Sequence, residues 1–305
     1  MSSKVQYLAE KGLVRPPGFL PSNTHLEVLM GSQAYGTAQE ESDFDIYGFC
    51  IPPKALLFPH QVAGEIEGFS TKGPRFEVWV QHHIHDADAL GGKGREYDFQ
   101  IFSIVKWFAL TMSCNPNMVD ALYTPANCVL HCTLLGQRVR EKRRLFLHKG
   151  CFHKFKGYAH SQLGKMRGDR ERPEGKRKDI VDEYGYDVKF AMHVVRLLAE
   201  CEEILESGDL TLGRNREILK EIRRGEWTEE QVRQYFADKE RGLEKLYQKS
   251  TLPYGPDETA IRALLMECLE EHFGSLSAIV PSGGDRASMA LREIAAIVDR
   301  NREAL

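Results

Sequence analysis

An apolar stretch, His25 to Met30, runs into Gly31-Ser32, and after ten intervening residues the chain carries Asp43 and Asp45. The segment reads Gly-Ser-Gln-Ala-Tyr-Gly-Thr-Ala-Gln-Glu-Glu-Ser-Asp-Phe-Asp-Ile-Tyr-Gly. A strand feeding a Gly-Ser turn and a short helix leaves backbone N–H groups aimed outward. With the helix dipole, such donors suit a phosphate tail. Two aspartates at i and i+2 on the next strand share one face. Carboxylates so placed can share a pair of divalent cations, an arrangement that drives in-line attack at phosphorus. Alone, Gly-Ser after a strand is a common turn, and Ser-Asp-Phe-Asp reads more simply as a polar turn capped by Ser42. Together, with Gly36 and Gly48 flanking, they read as a nucleotidyl-transfer site.

The rest of the chain is compatible with an enzyme of that kind. Its 305 residues, 42% hydrophobic and 28% charged, suit one large or two ordinary globular domains. No run of eighteen apolar residues is present and the N-terminus lacks a charged-then-apolar signal pattern, so a cytoplasmic protein without a membrane partner is expected. Seven cysteines, an odd number scattered mostly through apolar segments, agree with a reducing compartment. The net charge is only −3, but from Arg138 to Lys178 fifteen Lys/Arg face four Asp/Glu, a local +11, leaving −14 elsewhere. A basic block in an acidic chain points to a polyanion surface, although Gly168 to Lys178 also reads as a solvated loop.

Residues 25 to 98 alternate short apolar runs with Gly/Pro punctuation, the pattern of a small mixed sheet. Phe76 to Val80 reads as a strand, Tyr97 to Phe99 begins another run, and Ile101 to Ser113 has helical length. After about residue 135 the pattern is helical: Leu134 to Leu147, Phe152 to Met166, a long helix from Asp182 to Ser207, one opened by the capping box Thr228-Glu-Glu-Gln231, and two more at Asp257 to Phe273 and Arg286 to Arg302. The expected architecture is α+β, with a catalytic domain at 1–134 and a helical nucleotide- and substrate-binding domain at 135–305.

Two-metal chemistry needs a third carboxylate from a neighbouring strand. Glu65, Glu67, Glu77, Asp86, Asp88 and Asp98 are in range, with Asp98 and Glu77 the two set among apolar neighbours. In the long helix, Lys189, His193, Arg196 and Glu200 fall within about 60° of one another at about 100° per residue, with Tyr186 at the edge of that stripe. Phe190, Ala191, Val194, Val195, Leu197 and Leu198 occupy other positions. Burying these cations requires an anionic partner. A triphosphate would serve, and so would an Arg196–Glu200 pair at i,i+4. Tyr158 and Gln162, on the preceding basic helix, are further candidates to line the cleft. His83 and His85, read as one strand face, and Cys128 with Cys132 have metal-like spacing, but no full ligand set accompanies either. No P-loop motif is present.

These features resemble the signature of the DNA polymerase β nucleotidyltransferase superfamily, and within it the RNA-ligase-associated nucleotidyltransferase family of RNA repair. The likeness spans roughly residues 25 to 250. It extends to Asn115-Pro-Asn-Met-Val-Asp120, Tyr186-Asp-Val-Lys-Phe-Ala-Met-His-Val-Val-Arg196 and Arg223-Arg-Gly-Glu-Trp227. It implies a polymerase-β-like mixed sheet followed by a helical domain. It also implies transfer of an NMP from an NTP, with ATP expected, to an acceptor hydroxyl. Two Mg²⁺ ions, or Mn²⁺, would be held by Asp43, Asp45 and Asp98, since the resemblance favours Asp98 over Glu77. Gly31, Ser32, Lys189, His193, Arg196 and Tyr186 would bind the nucleotide. The favoured acceptor is an RNA or DNA 3′ end in nucleic-acid repair, with an RNA ligase pathway as the setting. A protein or small-molecule acceptor and a non-catalytic nucleic-acid-binding regulator are the alternatives.

Overall fold

The computed structural model describes residues 2–39, 42–58, 75–166, 176–274 and 294. Five strands, β1 (Thr24–Leu29), β2 (Phe44–Cys50), β3 (Val78–Asp86), β4 (Arg95–Ser103) and β5 (Val129–Cys132), form one sheet in the order β3-β4-β2-β1-β5. β2 and β4 are parallel and the other pairs antiparallel, so the sheet is mixed as expected. The parallel register sets Asp45 beside Asp98 and Ile46 beside Phe99.

Helices punctuate and then follow the sheet. α1 (Lys4–Glu10) and α2 (Leu20–Asn23) precede it, while α3 (Lys54–Leu57), α4 (Ala89–Gly92), α5 (Ile104–Met112) and α6 (Pro116–Tyr123) lie between or after its strands. The remainder is helical among the described residues: α7 (Leu134–Glu141), α8 (Cys151–Lys165), α9 (Lys176–Tyr184), α10 (Val188–Ser207), α11 (Arg216–Arg223), α12 (Glu229–Lys249) and α13 (Glu258–Phe273). None is long and apolar enough to cross a membrane.

Strand alternation sorts the sheet into two faces. Ile46, Tyr97, Phe99 and Ile101 pack with Val5 and Leu8 of α1 in one core. Asp45, Tyr47, Asp98 and Gln100, at the intervening positions, point the other way. Glu27 sits fully buried on β1, where its carboxylate accepts the backbone N–H groups of Lys4 and Val5 and so docks the α1 N-terminus on the sheet. Gly48 lets β1 approach: a Cβ there would stand 2.0 Å from the Leu26 carbonyl oxygen. A second, larger core joins Phe49 and Leu26 to Trp107, Phe155, Val194, Leu198 and Val232, so α10 packs within the same apolar mass as the sheet.

Several expected boundaries shift, each for a local reason. Ile101 to Ser103 belong to β4, because Ser103 caps α5 by accepting the Lys106 N–H. The single helix expected from Asp182 to Ser207 is two, α9 and α10. Gly185 takes φ +80° and Asp187 restarts the helix by accepting the N–H groups of Lys189 and Phe190. Leu134 to Leu147 closes its α-helix at Glu141 and continues as a 3₁₀ turn. β3 starts at Val78 and runs well past Val80, and β5 lies in a stretch for which the sequence pattern gave no element. The capping box at Thr228 and Gln231 has both of its hydrogen bonds. Glu65, Glu67, most of the Gly168 to Lys178 loop and the helix expected from Arg286 to Arg302 lie outside the described residues.

Candidate active site

The Gly-Ser turn is built directly against the second aspartate. Gly31 takes φ +60°, and a Cβ at this position would fall 2.5 Å from Asp45 Oδ2. Any other residue would strain the backbone and push that carboxylate away. The Met30 N–H donates to the Asp45 carbonyl at 2.7 Å, tying the end of β1 to β2. The short helix expected after Gly31 is instead a run of turns, closed by Tyr35 N–H to the Gly31 carbonyl at 3.2 Å and Thr37 N–H to the Ser32 carbonyl at 2.9 Å.

Three carboxylates converge here. Asp43 lies just before β2, Asp45 within it and Asp98 beside Asp45 on β4. Burial, then the Asp98 and Asp43 charges, push the Asp45 carboxyl up to about 6, with His82 acting in the opposite sense. Desolvated like charges of this kind suit a divalent cation, which removes the repulsion, and oxygen ligands suit Mg²⁺ or Mn²⁺. Asp98 is oriented from β3: it accepts the His83 backbone N–H at 2.7 Å and lies 3.5 Å from His82 Nδ1. Beyond the acids, Tyr47 of β2 and Gln100 of β4 are register partners on the same face.

A cleft of about 320 Å³ opens beside these groups. Gly31, Ser32, Tyr35, Gln39, Asp43 and Asp45 line it, whereas Asp98, beside Asp45 on β4, is not among its lining residues. Lys189, Met192 and His193 of α10 and Arg223 of α11 line it as well. Lys189 and His193 stand one turn apart on one face of α10, so its first two turns bring both to the cleft. Arg223 was not singled out by periodicity, since it is the last residue of its helix. Its guanidinium donates to the Thr37 carbonyl at 2.8 Å and so joins α11 to the loop that follows the Gly-Ser turn. The motif Arg223-Arg-Gly-Glu-Trp227 was the available signal.

Other sequence candidates sit elsewhere. Arg196 is 5% exposed and ion-pairs with Asp120 and, at 2.9 Å, Glu200, while its guanidinium lies 4.3 Å from the Tyr35 ring centroid. It is held inside the core, against the expectation of nucleotide contact, and the i,i+4 pair accounts for one of its two partners. Tyr186 is also buried, with its hydroxyl donating to the Trp227 carbonyl at 2.6 Å, and does not line the cleft. Nor do Tyr158 and Gln162. Glu77 precedes β3 at the far end of the sheet and pairs with Lys106 at 2.8 Å, whereas Asp86 and Asp88 both pair with Lys11. His83 and His85 do not belong to one regular strand face, because the register shifts between Gln81 and Ile84.

A solved structure described as a nucleotidyltransferase-like protein from Exiguobacterium sibiricum is similar at 12% identity, covering 96% of this chain and 90% of that one. Its TM-score of 0.28 makes the overlay too loose to define the fold. Curated proteins give no match. The model of the RNA repair pathway DNA polymerase beta family matches residues 21–267, which takes in the Gly-Ser turn, all three aspartates and the cations of α10 and α11. The chain therefore belongs to the RNA repair pathway DNA polymerase beta family and is a nucleotidyltransferase of that family.

Proposed function

We propose that this nucleotidyltransferase moves an NMP from an NTP, with ATP the expected donor, to the 3′ hydroxyl of an RNA or DNA end in a cytoplasmic repair pathway that includes an RNA ligase. The observation that carries the reading is a single cleft lined both by the carboxylates Asp43 and Asp45 and by the cations Lys189 and Arg223 together with His193. A triphosphate is the ligand class that needs both. In this reading residues 1–134 supply the acids and residues 135–305 the helical wall.

Gly31 and Ser32 hold the β,γ-phosphates through the turn's backbone, and Lys189, His193 and Arg223 neutralise the same phosphates from α10 and α11. Asp43, Asp45 and Asp98 would hold two Mg²⁺ ions, which when bound polarise the phosphoryl oxygens and favour the acceptor's alkoxide. Asp98 takes the acceptor hydroxyl proton. The acceptor oxygen bonds to the α-phosphorus as the bond to the β,γ leaving group breaks, and pyrophosphate departs with its charge facing the cations. Cations already placed where charge grows lower the barrier as well as bind the ground state.

The helical wall gives a direct test. Lys189→Ala should weaken Mg-NTP binding about ten- to a hundredfold, as loss of a charge-assisted contact costs roughly 1.5–3 kcal/mol. Lys189 is exposed on the first turn of α10, so the melting temperature without ligand should barely move. Calorimetric titration with a non-hydrolysable Mg-NTP measures the first quantity and a thermal scan the second. An unchanged affinity would remove α10 from the nucleotide site.

A further inference from the structure

β3 contains an irregularity beside the acids that nucleotide transfer does not require. Gln81 pairs with Phe99 and Ile84 with Tyr97, so two residues, His82 and His83, stand opposite the single residue Asp98. This is a β-bulge, a device that re-aims side chains next to active sites. His83 adopts φ +56°, a left-handed conformation that a non-glycine residue adopts only at a cost. Its backbone N–H leaves the ladder to meet the Asp98 carboxylate, and its ring Nδ1 lies 2.5 Å from Glu96 Oε1.

The ion pair between His83 and Glu96 does not account for the bulge. The imidazole is 83% exposed and the carboxylate 36%, and an exposed pair contributes too little to offset a left-handed histidine. A cation would account for it. Glu96 and Asp98 project from the same face of β4, two residues apart, and the bulge brings His83 over them. One ligand atom from each of His83, Glu96 and Asp98 lies within 4.8 Å of the other two. The mixed nitrogen and oxygen set differs from the all-carboxylate group of Asp43, Asp45 and Asp98. Imidazole selects first-row transition ions, while Mg²⁺ keeps oxygen ligands and water.

We propose that His83, Glu96 and Asp98 form a separate binding site for a divalent transition metal, of the Mn²⁺ or Zn²⁺ class, on the outer flank of the catalytic carboxylates. Asp98 is shared between the two sites, so occupancy of the outer one fixes the carboxylate that faces Asp45. The inference concerns metal binding and stands apart from the transfer reaction, so either can fail without the other.

The test uses Mn²⁺ alone, with the full-length Asp43→Asn, Asp45→Asn double variant, which lacks the catalytic pair. Electron paramagnetic resonance should show one retained Mn²⁺ with nitrogen modulation from an imidazole. Adding His83→Ala should abolish that modulation and weaken Mn²⁺ binding by at least about tenfold, the lower end of the loss seen when even a supporting partner of a ligand is removed. Glu96→Gln, a second exposed change, should weaken it likewise. His85→Ala should change nothing, since that ring packs over Gly94. Thermal scans confirm that each variant is folded. Absence of bound Mn²⁺ in the double variant, or retention with the same affinity after His83→Ala, would overturn the proposal.

Discussion

Asp45→Asn is expected to stop nucleotide transfer and, in metal-free buffer, to raise the melting temperature. The two effects share one cause. Asp45 is held in a partly desolvated position beside Asp98 and Asp43, and its carboxyl is pushed from 3.8 up to about 6. A raised carboxyl pKa means that the ionised form is disfavoured on folding, so the wild type loses stability as pH rises from about 4 through 6. At pH 8 that cost is roughly 2–3 kcal/mol, at about 1.4 kcal/mol per pKa unit. Asparagine removes it. The variant should therefore melt several degrees higher than wild type at pH 8 with chelator present, and the gap should close as pH falls toward 4. Mg²⁺, an ion that keeps oxygen ligands and water, should stabilise the wild type and leave the variant little changed. Turnover should fall at least about a thousandfold, because several kcal/mol of transition-state stabilisation depend on the ligand lost. Undiminished turnover with Mg²⁺ would contradict the assignment of Asp45.

Arg196→Met should be the most destabilising single change near the site. The guanidinium is fully enclosed and is shared by two carboxylates, Asp120 and Glu200, with Tyr35 packed against its face and donating its own hydroxyl to Asp120 at 2.7 Å. Burial works against the guanidinium's charge, but Glu200, Tyr35 and Asp120 hold it protonated. Methionine of similar length leaves both carboxylates buried without a cation, a change that costs about 3–5 kcal/mol. Burial already pushes both carboxyls upward. Without Arg196 they should rise further, so the deficit should shrink as pH falls and they take up protons. Urea midpoints at pH 8 and pH 5 measure both the loss and its partial recovery. A variant of normal stability with weakened Mg-NTP affinity would instead place Arg196 in the nucleotide site. Because Tyr35 lines the cleft, the same network also ties the Gly-Ser turn to α10.

What could be read from the chain divides along physical lines. Gly31, Ser32, Asp43 and Asp45 were legible because a turn and a two-residue strand spacing are local, and local geometry is written in consecutive residues. The adjacency of Asp98 to Asp45 was not, because parallel pairing of β2 with β4 is a long-range register that no window of sequence contains. Asp98 came from the family resemblance. The helical stripe gave Lys189 and His193 but also Arg196, because periodicity reports a side of a helix and not its depth. Seven residues advance the axis about 10 Å, enough to pass from cleft to core. The division of α9 from α10 was written in Gly185 and Asp187, a left-handed stop and an N-cap, and apolar density hid it. The bulge at His82 and His83 left no trace, since an extra residue in a strand looks like ordinary alternation until its partner strand is known. Arg223 lay at a helix end, where periodicity has no further turn to work with.

The proposed reaction moves the α-phosphoryl group of an NTP, with its nucleoside, to a nucleic-acid 3′ hydroxyl. Wild-type protein and the Asp45→Asn variant should be incubated with Mg²⁺, pooled RNA and each NTP in turn, labelled at either the α- or the γ-phosphate. With wild type, α-label should become covalently attached to RNA, γ-label should appear only in pyrophosphate, RNA with a blocked 3′ end should stay unlabelled, and the variant should give no product. Alpha-label on the protein itself or on a small molecule, with RNA unlabelled under every NTP, would contradict the claim.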